Sequence, residues 1–92
     1  MKVMTTFSVR PGALREAATR FLAGDGAPLE GVTLLGRWSS VDLSQGFVLY
    51  ETDDPAKLYR GAARWAELME IKTLLVIEDA DAGAALATIF KQ

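Results

Sequence analysis

Strand and helix signals alternate along this chain in an order that few folds accommodate within 92 residues. Runs rich in β-branched and aromatic residues predict four strands, at residues 2–9, 31–38, 47–51 and 71–77. Apolar residues at helical spacing predict two main helices, at residues 11–23 and 54–69, and a short alanine-rich helix at 79–90. Right-handed connections turn the order β-α-β-β-α-β into an α+β, ferredoxin-like fold. We expect a four-stranded antiparallel sheet in order 4-1-3-2, with both main helices on one face.

Proline and aspartate mark the predicted helix starts. Pro11 suits the first position of the first helix, because its ring already has a helical φ and it has no N–H to satisfy. Asp54 is expected to cap the second helix, with a proline following it. The acidic pairs Asp53–Asp54 and Asp79/Asp81 are the only candidates for an all-oxygen metal site, and neither has the spacing of a calcium loop. We therefore interpret both pairs as helix caps and expect no metal.

Cysteine and histidine are both absent from the sequence. Their absence excludes disulfides, thiol catalysis, Ser-His-Asp hydrolysis and ordinary zinc or haem sites. Ten basic and twelve acidic residues give a net charge of −2, which argues against nucleic-acid binding. No apolar run approaches the roughly 20 residues that span a bilayer, and no signal-peptide pattern is present. We expect one domain over residues 1–92, located in the cytoplasm, with no cofactor, nucleic acid or membrane partner.

The predicted strands carry large apolar residues on both faces, although the two main helices can cover only one. In the last strand, Ile71, Leu75 and Ile77 alternate with Leu74 and Val76. Burying one such side chain is worth roughly 1.5–3 kcal/mol, so leaving five or six in water would forgo about 10 kcal/mol. Either the C-terminal helix folds across the second face or a second copy packs against it. Because that helix is short, we expect a homodimer through the open sheet face.

Strand alternation leaves open which face meets the partner. Simple counting places Trp38 on the same side of the second strand as Val32 and Leu34. Substitutions to aspartate on the two faces should then have different effects, one dissociating the dimer and the other unfolding the chain. The first choice for dissociation is the face that carries Val48 and Leu75, with Leu49 and Leu74 in the monomer core.

Short motifs spread along the chain resemble those of one protein family. They are Arg10–Pro11–Gly12, Arg20–Phe21–Leu22, Gly31–Val32, Leu35–Gly36–Arg37–Trp38, Gly46–Phe47, Glu51–Thr52–Asp53–Asp54, Trp65 and Glu78–Asp79. In this order they resemble the small bacterial proteins grouped as domain of unknown function 3303, within the dimeric α/β-barrel superfamily. The resemblance implies a ferredoxin-like protomer whose open sheet face pairs with a second copy to close a barrel. It implies no activity, and Ser39 stands where a histidine often follows the Arg-Trp pair in that family.

Three residues are candidates for ligand binding: Arg37, Trp38 and Tyr59. The guanidinium of Arg37 can hold a carboxylate or phosphate, and Trp38 can supply a flat wall beside it. The alternative, which the sequence favours, places Trp38 in the core or the dimer face and pairs Arg37 with Glu51. Tyr59 could line a mouth between helix and sheet. Trp65 falls in the apolar stripe of the second helix and is expected in the core.

The sequence therefore leaves two classes of function open. The first is a small cytoplasmic homodimer that binds a small apolar or aromatic ligand or acts as an accessory module. The alternative is a cofactor-free monooxygenase or isomerase for an activated aromatic or polyketide-like substrate, which would supply its own carbanion. A cavity of a few hundred Å³ lined by Arg37, Trp38 or Tyr59 would favour the enzyme. A packed interior, with these residues in the interface, would favour the module.

Overall fold

The computed structural model describes residues 1–90, which form a four-stranded antiparallel sheet, three α-helices and a short π-helical segment, Phe21–Asp25, that directly follows the first helix. The strands are β1 (Lys2–Val9), β2 (Val32–Ser39), β3 (Gly46–Thr52) and β4 (Met69–Val76). The helices are α1 (Leu14–Arg20), α2 (Pro55–Trp65) and α3 (Asp79–Ile89). The strand order is β2-β3-β1-β4. The predicted α+β, ferredoxin-like arrangement with a short C-terminal helix is confirmed.

The two main helices, α1 and α2, cover the same face of the sheet, which we call the helix face. At the end of α1, Arg20 donates a 3.0 Å hydrogen bond from Nη2 to the carbonyl oxygen of Arg64 in α2. The guanidinium carbon of Arg20 also lies 4.5 Å from the ring centre of Trp65. Val3 and Val48 of the sheet are buried. The contacts of Arg20 therefore hold the end of α1 next to α2 above the helix face.

The opposite face of the sheet, the open face, has an apolar surface that no helix covers. Its large apolar residues are Met4, Trp38, Phe47, Leu49, Leu74 and Val76. Met4 stands between Leu49 and Leu74 across three strands, and Leu74 is 64% exposed. Every residue of α3 is exposed except Ala82, which is half-buried. Within residues 1–90, the C-terminal helix therefore does not cover the open face.

Helix boundaries differ from the sequence-based expectation at the start of α1 and at the ends of α1 and α2, since α1 ends at Arg20 and not at residue 23. Pro11 lies in a turn before the helix, because Gly12 has a φ of +82°, a left-handed conformation that an α-helix does not contain. α2 ends at Trp65, and Met69 begins β4 opposite Val9 instead of extending the helix. Strand pairing thus prevails over the helical spacing of four positions that separates Met69 from Trp65.

The predicted caps are confirmed for α2 and corrected for α3. Asp54 accepts a 3.0 Å hydrogen bond from the backbone N–H of Ala56, which satisfies one of the free donors of the first turn. Asp79 and Asp81 lie inside the first turn of α3, after Glu78 at the cap position. They make no cap there, but their charges still suit the positive end of the helix dipole.

β2 contains a bulge at Leu35. Leu34 is opposite Tyr50, and Gly36 is opposite Leu49, so Leu35 is one extra residue with no partner on β3. Successive strand residues point to alternate faces, and one extra residue therefore reverses the alternation beyond it. The side chains at positions 36–39 therefore lie on the faces opposite to those that simple alternation from Val32 would give them.

Candidate functional site

A cavity of about 410 Å³ lies between the helix face of the sheet and the two helices above it. All four strands and both main helices contribute to its wall, largely with apolar side chains such as Phe7, Leu58 and Trp65. No side chain of residues 1–90 is completely buried, because the space where a core would lie is open. The volume falls within the range of about 300–1,000 Å³ that is typical of ligand pockets.

A glycine in β3 positions the ring of Phe7 in the cavity wall. Gly46 is opposite Phe7 in the ladder, and a Cβ built on Gly46 would overlap the tip of the Phe7 ring. The ring therefore lies directly over the backbone of β3. Any side chain at position 46 would displace the ring towards the cavity.

Arg37 brings a positive charge to the cavity wall. The bulge puts it opposite Val48 on the helix face, where its Nη2 donates to the carbonyl oxygen of Gly26. Its guanidinium carbon lies 5.5 Å from the ring centre of Phe21. The expected ion pair with Glu51 is wrong, because Glu51 is opposite another residue of β2 on the open face. Within residues 1–90, Arg37 has no carboxylate partner.

Trp38 lies on the open face, away from the cavity. Its indole ring covers Gly36, where a Cβ would overlap it, and it is opposite Phe47 across the ladder. The side chain is 57% exposed. The expectation that it shares a face with Val32 is wrong, because the bulge at Leu35 reverses the alternation. The structure therefore does not bring Arg37 and Trp38 together.

Tyr59 lies on α2 outside the cavity and is 80% exposed. It borders a separate apolar hollow of about 330 Å³, together with Met1 and Leu75. Trp65, which was expected in the core, is half-buried and lines the cavity beneath Arg20. Of the three candidate ligand-binding residues, only Arg37 reaches the cavity.

The charged groups around the cavity are mostly basic. Arg37, Lys57 and Arg64 line it, and its one acidic lining residue, Asp25, lies 3.8 Å from Arg20 in an ion pair. The sequence reasoning missed Lys57, although its position directly before Leu58 places it at the edge of the apolar stripe of α2. Across residues 1–90, no three acidic side chains come together in a way that would hold a metal ion.

The hairpin turn that joins β2 and β3 contributes the edge of the cavity. Leu43 lines the cavity and has a φ of +66°, the only positive φ outside glycine in the described part of the chain. Asp42 stabilises this turn, accepting hydrogen bonds at Oδ1 from the Ser44 hydroxyl (2.7 Å), the Ser44 backbone (3.0 Å) and the Ser40 hydroxyl (2.8 Å). These donors, Ser44 foremost, lower the pKa of Asp42 to about 2.

The sheet order, the two helices on one face and the cavity between them define an α+β, ferredoxin-like protein with an internal cavity. Over residues 1–90 the chain matches the family described as domain of unknown function (DUF3303), and it belongs to that family. The resemblance indicated by the sequence motifs is thus confirmed. A comparison with curated proteins found no match.

Two solved structures are similar to this chain at low sequence identity. One is Rv0793 from Mycobacterium tuberculosis, with 18% identity, a TM-score of 0.46, and coverage of 86% of this chain and 96% of that one. The other is a Deinococcus radiodurans protein that carries the unconfirmed name antibiotic biosynthesis monooxygenase. It shows 11% identity, a TM-score of 0.44, and coverage of 85% and 94%. None of the helices within residues 1–90 has the length and apolarity needed to cross a bilayer.

Proposed function

We propose that the protein is a small-ligand-binding or accessory module, and that the cavity under α1 and α2 is its binding site. The observation that carries this proposal is the open space of about 410 Å³ at the position of the core. A chain of 92 residues has little apolar area with which to stabilise its fold. A ligand that fills the cavity would bury its apolar wall and would therefore raise the free energy of unfolding.

The cofactor-free monooxygenase or isomerase is the second candidate. One observation favours it: Arg37, one of the three residues expected around a substrate, lines a cavity of the expected size. Trp38 and Tyr59 lie elsewhere, and the only carboxylate that residues 1–90 contribute to the wall, Asp25, is paired with Arg20. The criterion stated for the enzyme is thus met by one of its three residues, and the binding module, which needs only the cavity, is the better supported of the two.

We further propose that two copies associate through their open faces. The apolar row from Leu49 through Met4 to Leu74 supports this, because α3 leaves it uncovered. Such an interface would be isologous, with the same residues contributed by each copy. The cytoplasmic location stays a prediction.

The ligand proposal can be tested with N-phenyl-1-naphthylamine, a neutral probe whose fluorescence rises in apolar sites. We expect one probe to bind per chain in the wild type. Gly61→Leu should weaken binding, because residue 61 lines the cavity and a Cβ there has ordinary space next to Leu29. Replacing a glycine within a helix stabilises it by roughly 0.5–1 kcal/mol, so lost binding would not reflect unfolding.

Ala63→Leu is the matched control, because Ala63 is exposed on the same helix and lines neither the cavity nor the hollow. It should bind the probe as the wild type does. A wild-type chain that leaves the probe free, or equal loss in both variants, would contradict the proposal. Oxygen uptake with an electron-rich naphthol, or isomerisation of an enolisable cyclic ketone, lost in Arg37→Gln, would favour the enzyme instead.

A further inference from the structure

We propose that the ligand of the cavity is an organic anion, a carboxylate carried on a flat apolar body, and that Arg37 binds the carboxylate. This inference rests on the proposed ligand-binding function and names the chemical class of ligand. It is drawn from the unpaired charge of Arg37, the balance of charges around the cavity and the character of the wall.

Arg37 has hydrogen-bonding capacity that the chain leaves unused. A guanidinium has five N–H donors in a fixed plane, and the one hydrogen bond from this group goes to the carbonyl oxygen of Gly26. The ring of Phe21 faces the guanidinium and restricts its orientation. No acidic side chain of residues 1–90 neutralises it. A cation held next to an apolar cavity with only neutral partners gains more from an incoming anion than the same cation in water.

The remaining charges around the cavity act in the same direction. Lys57 and Arg64 also line it and form no ion pair within residues 1–90, whereas the one acidic group, Asp25, is already paired with Arg20. The cavity therefore has an excess of positive charge, although the protein as a whole has a net charge of −2. A carboxylate matches the planar fork of arginine better than it matches a single ammonium group.

The wall indicates what carries the carboxylate. Most of the surface is apolar, and it includes the aromatic rings of Phe7, Phe21 and Trp65. Flat rings pack well against other rings in offset or edge-to-face arrangements. A bicyclic aromatic acid, such as a naphthoate, combines such a ring system with the required charge.

The test compares two probes that share the naphthalene ring and differ in one substituent: 2-naphthoate, which is charged, and the neutral alcohol 2-naphthalenemethanol, each titrated by calorimetry. In the wild type we expect the acid to bind about tenfold tighter or more, the range of a charge-assisted hydrogen bond. Arg37→Gln should remove this preference and leave the affinity for the alcohol unchanged. Arg37→Lys should retain part of it, because the charge remains but the planar fork is lost.

Arg60→Gln is the matched control, since it removes the same charge from an exposed position of α2 that does not line the cavity. It should retain the full preference for the acid. Equal binding of the two probes to the wild type would overturn this inference and leave the ligand-binding function standing. A preference that persists in Arg37→Gln would overturn the role of Arg37. If neither probe binds, the inference about the ligand fails, and the titration with N-phenyl-1-naphthylamine decides separately whether the ligand-binding function stands. Should Arg37→Gln not fold, the wild-type comparison and Arg37→Lys still decide.

Discussion

Arg37 and Trp38 are consecutive residues of β2, and their side chains lie on opposite faces of the sheet. Arg37 lines the cavity beside Phe21, whereas Trp38 covers Gly36 on the open face. The second tryptophan, Trp65, lies on the cavity side. The sheet thus separates the cavity from an apolar outer surface, and each side has its own tryptophan. Trp38→Phe leaves Trp65, whose fluorescence reports on the cavity. Trp65→Phe leaves Trp38, whose fluorescence reports on the open face.

Two aspartate substitutions, one on each face of the sheet, are predicted to have opposite outcomes. Leu74→Asp should give folded monomers, because Leu74 is exposed on the open face. Val48→Asp should unfold the chain at a cost of more than about 3 kcal/mol, because Val48 is only 3% exposed on the helix face. The sequence-based first choice had assigned these two faces the other way round. Sedimentation with circular dichroism separates the outcomes.

Val41→Asp is the control for both substitutions, since Val41 is fully exposed in the hairpin turn. It should change neither folding nor association. A wild-type protein that stays monomeric at the highest concentration tested would contradict the dimer proposal, and so would a Leu74→Asp variant that remains dimeric.

Two glycine-to-alanine substitutions are expected to have opposite signs. Gly46→Ala should destabilise the fold by about 1–3 kcal/mol, since its new Cβ displaces Phe7 into the cavity. Gly83→Ala should raise helix content, because Gly83 lies within α3 with nothing near its Cβ position. Urea unfolding measures the first effect, and far-ultraviolet circular dichroism measures the second. A Gly46→Ala variant as stable as the wild type would show that Phe7 relaxes without cost.

The cap of α2 can be tested with adjacent aspartates. Asp54→Ala should cost about 1 kcal/mol, because it removes the acceptor for the backbone N–H of Ala56. Asp53→Ala should cost close to nothing, since Asp53 is fully exposed and its ion pair with the N-terminal ammonium group is long, at 4.0 Å. The measurement is the urea midpoint of each variant. Equal losses would mean that charge near the helix start, and not the cap, is what stabilises it.

Asp42 should make the hairpin turn sensitive to strong acid only. Its hydrogen bonds favour the carboxylate and lower its pKa from the ordinary 3.8 to about 2 in the folded chain. The stabilisation is therefore complete above about pH 4 and is lost as the pH falls through about 2. Carboxyl chemical shifts across an acid titration should show this midpoint. Ser44→Ala removes the main donor and should raise the pKa towards 3.8. An ordinary midpoint in the wild type would contradict the turn geometry.

The order of the elements could be predicted from the sequence, but the faces of β2 beyond residue 34 could not. Gly36 inside the strand is a local sign of a bulge, but it does not say where the extra residue lies, and simple alternation assigns Trp38 to the wrong face. The bulge follows from tertiary packing. Without it, Trp38 would stand opposite Gly46, over which the ring of Phe7 already lies. The same reversal brings Arg37 to the cavity, which is why the candidate site was only partly predictable.

The helix boundaries show a second limit of local patterns. Met69 continues the spacing set by Leu58, Ala62 and Trp65, and nothing in the sequence between them ends a helix. The end is set by β1, whose residue Val9 pairs with Met69. Only long-range pairing supplies that information.

The exposure of α3 has a consequence for local stability. Isolated helices shorter than about 12–15 residues are marginal in water, and α3 has 11 residues, almost all of them exposed. A helix–coil equilibrium in the single chain is the physical expectation, with the coil well populated. Its backbone amide protons should therefore exchange with deuterium far sooner than those of β1 between its two neighbouring strands. Any surface that buries Leu86 and Ile89 would slow this exchange. The hydrogen-exchange rate of α3 would therefore measure the fraction of molecules in which the helix is covered.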